Sequence, residues 1–134
     1  MADTLRVQKN DRSEYRVPIR VEGRLVNALI DTGMTSPDCL IGVGLAIENF
    51  AAVRSSLRGL RRIAMEGVGT SEPELVLGGL GTVAIEGIDG SELETYVAEI
   101  GDNLLGVCYF HGLRGFEVVW DLEGGEMTIA RRSS

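Results

Sequence analysis

Basic residues are in short supply in this chain: 13 Lys and Arg stand against 20 Asp and Glu, a net charge of -7 in 134 residues. That balance repels phosphate backbones and anionic lipid heads, so neither nucleic acid nor a membrane surface is an expected partner. Cysteine is nearly absent. Cys39 and Cys108 are far apart in sequence, with no second Cys or paired His beside either to make a metal knuckle, and no metal or other cofactor is expected. In a cytosolic chain such a pair is ordinarily reduced, and both are expected to be buried small hydrophobes. No stretch approaches the roughly 20 apolar residues of a membrane helix, and Met1 to Asn10 lacks the apolar core of a secretory leader. Cytoplasmic residence is therefore the expectation. Proline is scarce too, with 3 against 18 Gly, which reads as turns and close backbone crossings in a strand-rich fold and not as a low-complexity linker.

What is present is ordinary for one globular domain: 44% hydrophobic and 25% charged residues in 14.4 kDa. Residues 1–13 are polar and aperiodic, an extension or an edge strand, and the domain is expected over residues 14–131. Tyr15, Val17, Ile19 and Val21 alternate with polar residues, the period-two mark of a strand buried on one face. After Gly23, Leu25 to Ile30 is a mostly apolar strand that runs straight into Asp31-Thr32-Gly33. Cys39 to Leu45 reads as a further apolar strand. Ile47, Phe50, Ala51, Val53, Leu57 and Leu60 recur at helical spacing, which predicts a helix over residues 47–60 with Gly59 as its stop. Glycines 67 and 69 tip a hairpin between Ile63 and Leu77, and Asp89-Gly90 turns another between Val83 and Ile100. A short helix is expected at Val107 to His111, then a strand pair around Gly124-Gly125. The sequence has no internal repeat, so Asp-Thr-Gly occurs once.

Asp-Thr-Gly by itself is a common tripeptide, but here it closes a hydrophobic strand, and Leu104-Leu105-Gly106 follows further on, before FEVVWDLEGGEMTI. Together these segments resemble the retropepsin-like aspartic proteases, among them small bacterial predicted aspartyl proteases, over roughly Val17 to Ala130. The resemblance implies a mostly β, closed barrel-like, single-domain acid-protease fold with one or two short helices. It implies an aspartic endopeptidase that hydrolyses peptide bonds of an extended polypeptide. In such a site one carboxylate activates a water while a second carboxylic acid protonates the carbonyl oxygen. Two carboxyl groups about 3 Å apart share one proton and so hold both roles. One motif supplies one Asp, so the resemblance implies a homodimer with Asp31 from each copy meeting at a two-fold axis. Carried over residue by residue, Asp31 is catalytic, Thr32 braces the two loops across the axis, and Gly33 lets backbone approach the carboxylates. Leu105 and Gly106 support that crossing. Met34, where the family commonly has Ala or Ser, and a flap tipped by Gly67, Val68 and Gly69 would face substrate.

Each reading has an ordinary alternative. For Asp31 the alternative is a turn residue capping its own loop, and for the whole chain an inactive aspartic-protease-like fold kept for peptide binding or dimerisation. His111 has no matching nucleophile and reads as a surface or hydrogen-bonding histidine. Ser36, Ser55 and Ser56 lack a nucleophile-elbow context. Arg54, Arg58, Arg61 and Arg62 read as the solvated face of the helix, with an acidic partner as the alternative. The glutamates at 66, 72, 74, 92 and 94 lack metal-loop spacing.

Overall fold

In the computed structural model, residues 3–34, 37–65 and 74–132 are described. Strand β1 (Thr4–Gln8) is followed by β2 (Arg16–Val21), in which alternation does what period two demands: Val17, Ile19 and Val21 are wholly buried while Pro18 and Arg20 face out. Glycine is needed at the next turn, where Gly23 has φ 83°, and β3 (Arg24–Asp31) returns antiparallel to β2. β4 (Ile41–Leu45) is buried at every residue, and a short helix, α1 (Ile47–Val53), turns Phe50 and Val53 inward. Then come β5 (Arg58–Met65), β6 (Glu74–Ile85), β7 (Leu93–Glu99) and β8 (Leu104–Gly106). Helix α2 (Val107–Gly112) leads to the final pair, β9 (Phe116–Asp121) and β10 (Glu126–Arg131).

Seven strands hydrogen-bond in the order β2-β3-β8-β4-β7-β6-β5, and an added pairing of β2 with β6 closes the first six into a barrel. Closure leaves β5 outside, on the flank of β6. Closing the sheet removes its free edges except for this one strand. The chain's two ends form a separate three-stranded sheet, β1-β10-β9, so the N-terminal segment is an edge strand in register with β10 from Thr4 opposite Ala130 to Gln8 opposite Glu126. Its inward residues Val7, Met127 and Ile129, with Phe116, join the main core cluster of Val17, Ile19, Val43, Leu45, Phe50 and Tyr109. A second, smaller cluster gathers Met34, Ile41, Ile63, Val76 and Ala98.

Tyr109 is the largest wholly buried side chain. Its hydroxyl donates to the Ser91 carbonyl at 2.5 Å, and the Ser91 hydroxyl in turn accepts from the Ile85 N–H at 2.9 Å. Burial pushes the phenol's pKa well above its ordinary value, so it stays a neutral donor at any working pH.

The helix expected over residues 47–60 is shorter than its periodicity suggested. It stops at Val53, a 3-10 turn covers Arg54–Ser56, and Leu57 onward is extended, with Gly59 at φ 62° inside β5 and a register shift between Arg58 and Arg61. Leu57 is buried against the barrel from an extended backbone just ahead of β5, so an apolar residue at helical spacing was satisfied outside the helix. Arg58, Arg61 and Arg62 accordingly sit on an edge strand and not on a helix face. They are exposed, with Arg58 paired to Glu94 and Arg61 over the Tyr96 ring at 5.2 Å.

Candidate active site

Asp31 stands at the last position of β3 because of how β3 is paired. Leu29 and Ile30 lie parallel to Leu104 and Leu105, and Asp31 lies opposite Gly106. On its other side β8 runs antiparallel to β4, through Val43 opposite Leu105 and Gly44 opposite Leu104. The two motif segments are thus hydrogen-bonded neighbours, with β8 inserted between β3 and β4 and Leu105 wholly buried. Asn103 sets the entry to β8. Its carbonyl accepts from the Leu29 N–H at 2.9 Å, and its side-chain oxygen accepts from the Ala46 N–H at 2.9 Å and from the Asn49 amide at 3.1 Å. Sequence reading passed over this residue. An Asn just ahead of the Leu-Leu-Gly strand was the available signal, since such side chains bond nearby backbone readily.

The loop itself is short and tightly wound. The Gly33 N–H donates to Asp31 Oδ1 at 2.9 Å, and the Met34 N–H to the Asp31 carbonyl at 3.3 Å. A Cβ at Gly33 would lie 3.3 Å from Asp31 Oδ1, so a glycine here leaves the carboxylate room. Asp31 is half-buried, while Thr32 and Gly33 are exposed. The carboxylate does cap its own loop, as the ordinary alternative requires, yet it keeps one oxygen beyond that bond. Met34 is 6% exposed, in the smaller core cluster, with its methyl against the space a Cβ on Gly106 would occupy. In the single chain it is a core residue. Gly67, Val68 and Gly69 lie outside the described residues, as do Ser36 and Glu66.

The contact between Met34 and Gly106 carries a prediction. Gly106→Ala forces the Met34 methyl aside and should cost about 1–3 kcal/mol in denaturant unfolding. Adding Met34→Ala should make the pair less destabilising than the two single changes summed, a coupling of at least about 0.5 kcal/mol. Strict additivity would show that the two residues do not share this space.

The cysteines depart from expectation. Cys39 and Cys108 are joined in a disulfide, Cα–Cα 5.2 Å, and Cys39 is exposed while Cys108 is buried. They were separate in sequence and adjacent in space for a topological reason: Cys39 follows the Asp31 loop and Cys108 follows Gly106, and the parallel pairing of β3 with β8 carries both segments to the same end of the barrel. His111, exposed on α2, has Nδ1 at 3.6 Å from Cys39 Sγ. Ser55 and Ser56 are exposed in the turn after α1. Among the described residues no group of three or more His, Cys, Asp or Glu is arranged to hold a metal, and no helix is long and apolar enough to cross a membrane.

A closed, mostly β barrel with Asp-Thr-Gly delivered at a β3–β8 crossing is the retropepsin-like acid-protease fold. Among solved structures the chain is similar to a retropepsin-like aspartic protease from Rickettsia conorii, with TM-score 0.63 and 14% identity over 96% of this chain and 90% of that one. It is also matched to the retroviral protease-like domain of Ddi1 from Leishmania major, with TM-score 0.46 and 15% identity over 88% and 93% of the two chains. The sequence matches no protein-family model and no curated protein.

Proposed function

We propose that the protein is a homodimeric aspartic endopeptidase in which Asp31 of two copies forms the catalytic dyad. The observation that carries this reading is the register of Asp31 opposite Gly106, which holds a carboxylate at the rim of the barrel on a loop whose tip, Thr32 and Gly33, is open to solvent in the single chain. A second copy related by a two-fold axis would cover that tip and bring the matching Asp31 to it. The two carboxyl groups would then share one proton. The ionised member takes a proton from water as the water attacks the peptide carbonyl, and the protonated member gives its proton to the carbonyl oxygen. Thr32 braces the paired loops, Gly33 keeps the carboxylates accessible, and Leu105 with Gly106 fixes the floor beneath them. An extended peptide would lie over the dyad as an added strand under a flap tipped by Gly67, Val68 and Gly69. Met34 enters through packing on Gly106 and not as a pocket wall.

Two measurements test this directly. Sedimentation should give a dimer at concentrations where a peptide library is cleaved. A strictly monomeric species that cleaves, or a dimer that binds peptides and cleaves none from acidic to neutral pH, counts against the reading. The flap gives a separate expectation: Gly69→Pro, which fixes φ and deletes a backbone donor, should lower turnover about tenfold or more while leaving the fold intact. Unchanged turnover would remove that segment from the site.

A further inference from the structure

The disulfide lies where an inert structural cross-link has no need of its features. Cys39 is a solvent-exposed residue and Cys108 is 7% exposed, so the cross-link joins a residue at the surface to one in the core. Beside the surface residue stands the chain's single histidine, with Nδ1 at 3.6 Å from Cys39 Sγ and the residue itself exposed on α2. An imidazole at that distance stabilises a thiolate on Cys39 once the bond opens. Asp38 and Cys39 are also successive non-glycine residues with positive φ, 60° and 51°, a conformation such residues rarely adopt. The cross-link ties the segment that follows the Asp31 loop to the helix that follows Gly106.

We infer that Cys39, Cys108 and His111 form a reversible thiol–disulfide exchange site for low-molecular-weight disulfides and thiols of the glutathione type. Cys39 is the reactive sulfur, Cys108 the resolving one, and His111 a positioning residue that favours the Cys39 thiolate. In the oxidising direction the Cys39 thiolate attacks glutathione disulfide, forming a mixed disulfide and expelling one glutathione thiolate, which takes up the proton Cys39 lost. Cys108 then attacks the Cys39 sulfur, forms the internal disulfide and releases the second glutathione, which takes up the Cys108 proton. Two protein thiols are oxidised and one glutathione disulfide is reduced to two thiols. In the reverse direction a glutathione thiolate attacks the Cys39 sulfur and displaces Cys108. A second glutathione thiolate then attacks the glutathione sulfur of that mixed disulfide, releasing Cys39 and one glutathione disulfide, while the two displaced cysteine thiolates take up the protons the two glutathiones lost. The oxidised state ties the Asp31 loop's trailing segment to α2, and the reduced state frees it. This site stands on the two sulfurs and the imidazole and does not depend on peptidase activity.

The test begins with the unaltered protein, equilibrated in glutathione buffers from reducing to oxidising, then alkylated and weighed intact. The internal disulfide should open and re-form reversibly while the chain stays folded by circular dichroism. A bond that persists in every buffer until the chain is unfolded, or one that never forms, overturns the inference. Cys108→Ser, reduced and treated with glutathione disulfide, should accumulate one glutathione per chain on Cys39, and Cys39→Ser should react at least about tenfold more slowly through Cys108. In the Cys108→Ser background, His111→Ala should slow adduct formation about fivefold near neutral pH and lose that difference at high pH, where the thiol ionises unaided. Equal reactivity of the two cysteines contradicts the assignment of Cys39, and a His111→Ala rate equal to its parent's at all pH contradicts the role of the imidazole.

Discussion

Asp31→Asn should abolish peptide hydrolysis, a loss on the order of 10³-fold or more, because an amide can neither take a proton from water nor share one with its partner. The fold should survive. Asn keeps an oxygen where Asp31 Oδ1 accepts the Gly33 N–H at 2.9 Å, so unfolding free energy should stay within about 0.5 kcal/mol of the parent. The dimer should survive as well, and peptide binding should hold or tighten, since no charge remains to be desolvated by the peptide. The unaltered enzyme's pH profile belongs to the same expectation. Activity should fall at low pH as both carboxyl groups are protonated and no base remains, and fall again at higher pH as both ionise and no acid remains. The two apparent pKa values belong to the pair and not to either copy. Wild-type cleavage by a folded Asp31→Asn protein would refute the aspartic mechanism.

The largest effect on stability should come from Tyr109→Ala. The ring is wholly buried in the main cluster and its hydroxyl donates to the Ser91 carbonyl, so the substitution opens a cavity and strips a buried acceptor of its donor. With the disulfide intact, denaturant unfolding should show a loss of about 3–5 kcal/mol. Tyr109→Phe separates the two contributions: it keeps the ring and should cost about 1–3 kcal/mol for the unsatisfied carbonyl. A Tyr109→Phe cost matching that of Tyr109→Ala would put the stabilisation in the hydrogen bond and not in packing. A loss under about 1 kcal/mol for Tyr109→Ala would show that this part of the barrel repacks freely.

Much of the fold was legible because its strands are patterned strongly. Val17, Ile19 and Val21 announced β2 by alternation, Asp89-Gly90 marked the turn from β6 to β7, and the apolar run ending at Asp31 gave β3 nearly to the residue. Helix α2 over Val107–Gly112 was also readable. The end of α1 was not, since Leu57 and Leu60 continue its spacing from within and beside a strand, and nothing local distinguishes a residue buried from a helix from one buried out of an extended segment. Asp31 and Gly106 could be matched only through the resemblance, because a three-residue strand such as β8 has no periodicity to read. The disulfide was missed although its signal followed from that same match: two segments known to cross must bring their trailing residues together, and each carries a cysteine. The side of Met34 was also invisible in one dimension, since a residue after a turn has no face until the loop is closed.

The account depends most on the claim that one active site needs Asp31 from two chains, and subunit mixing tests it most directly. Wild-type and Asp31→Asn proteins are combined in equal amounts, allowed to exchange subunits, and assayed at fixed total concentration. If both carboxyl groups are required, only dimers of two wild-type chains cleave, and activity should fall to about one quarter of that of wild-type protein alone. Activity that falls only to about one half would mean that each chain acts through its own Asp31, and would contradict the shared dyad.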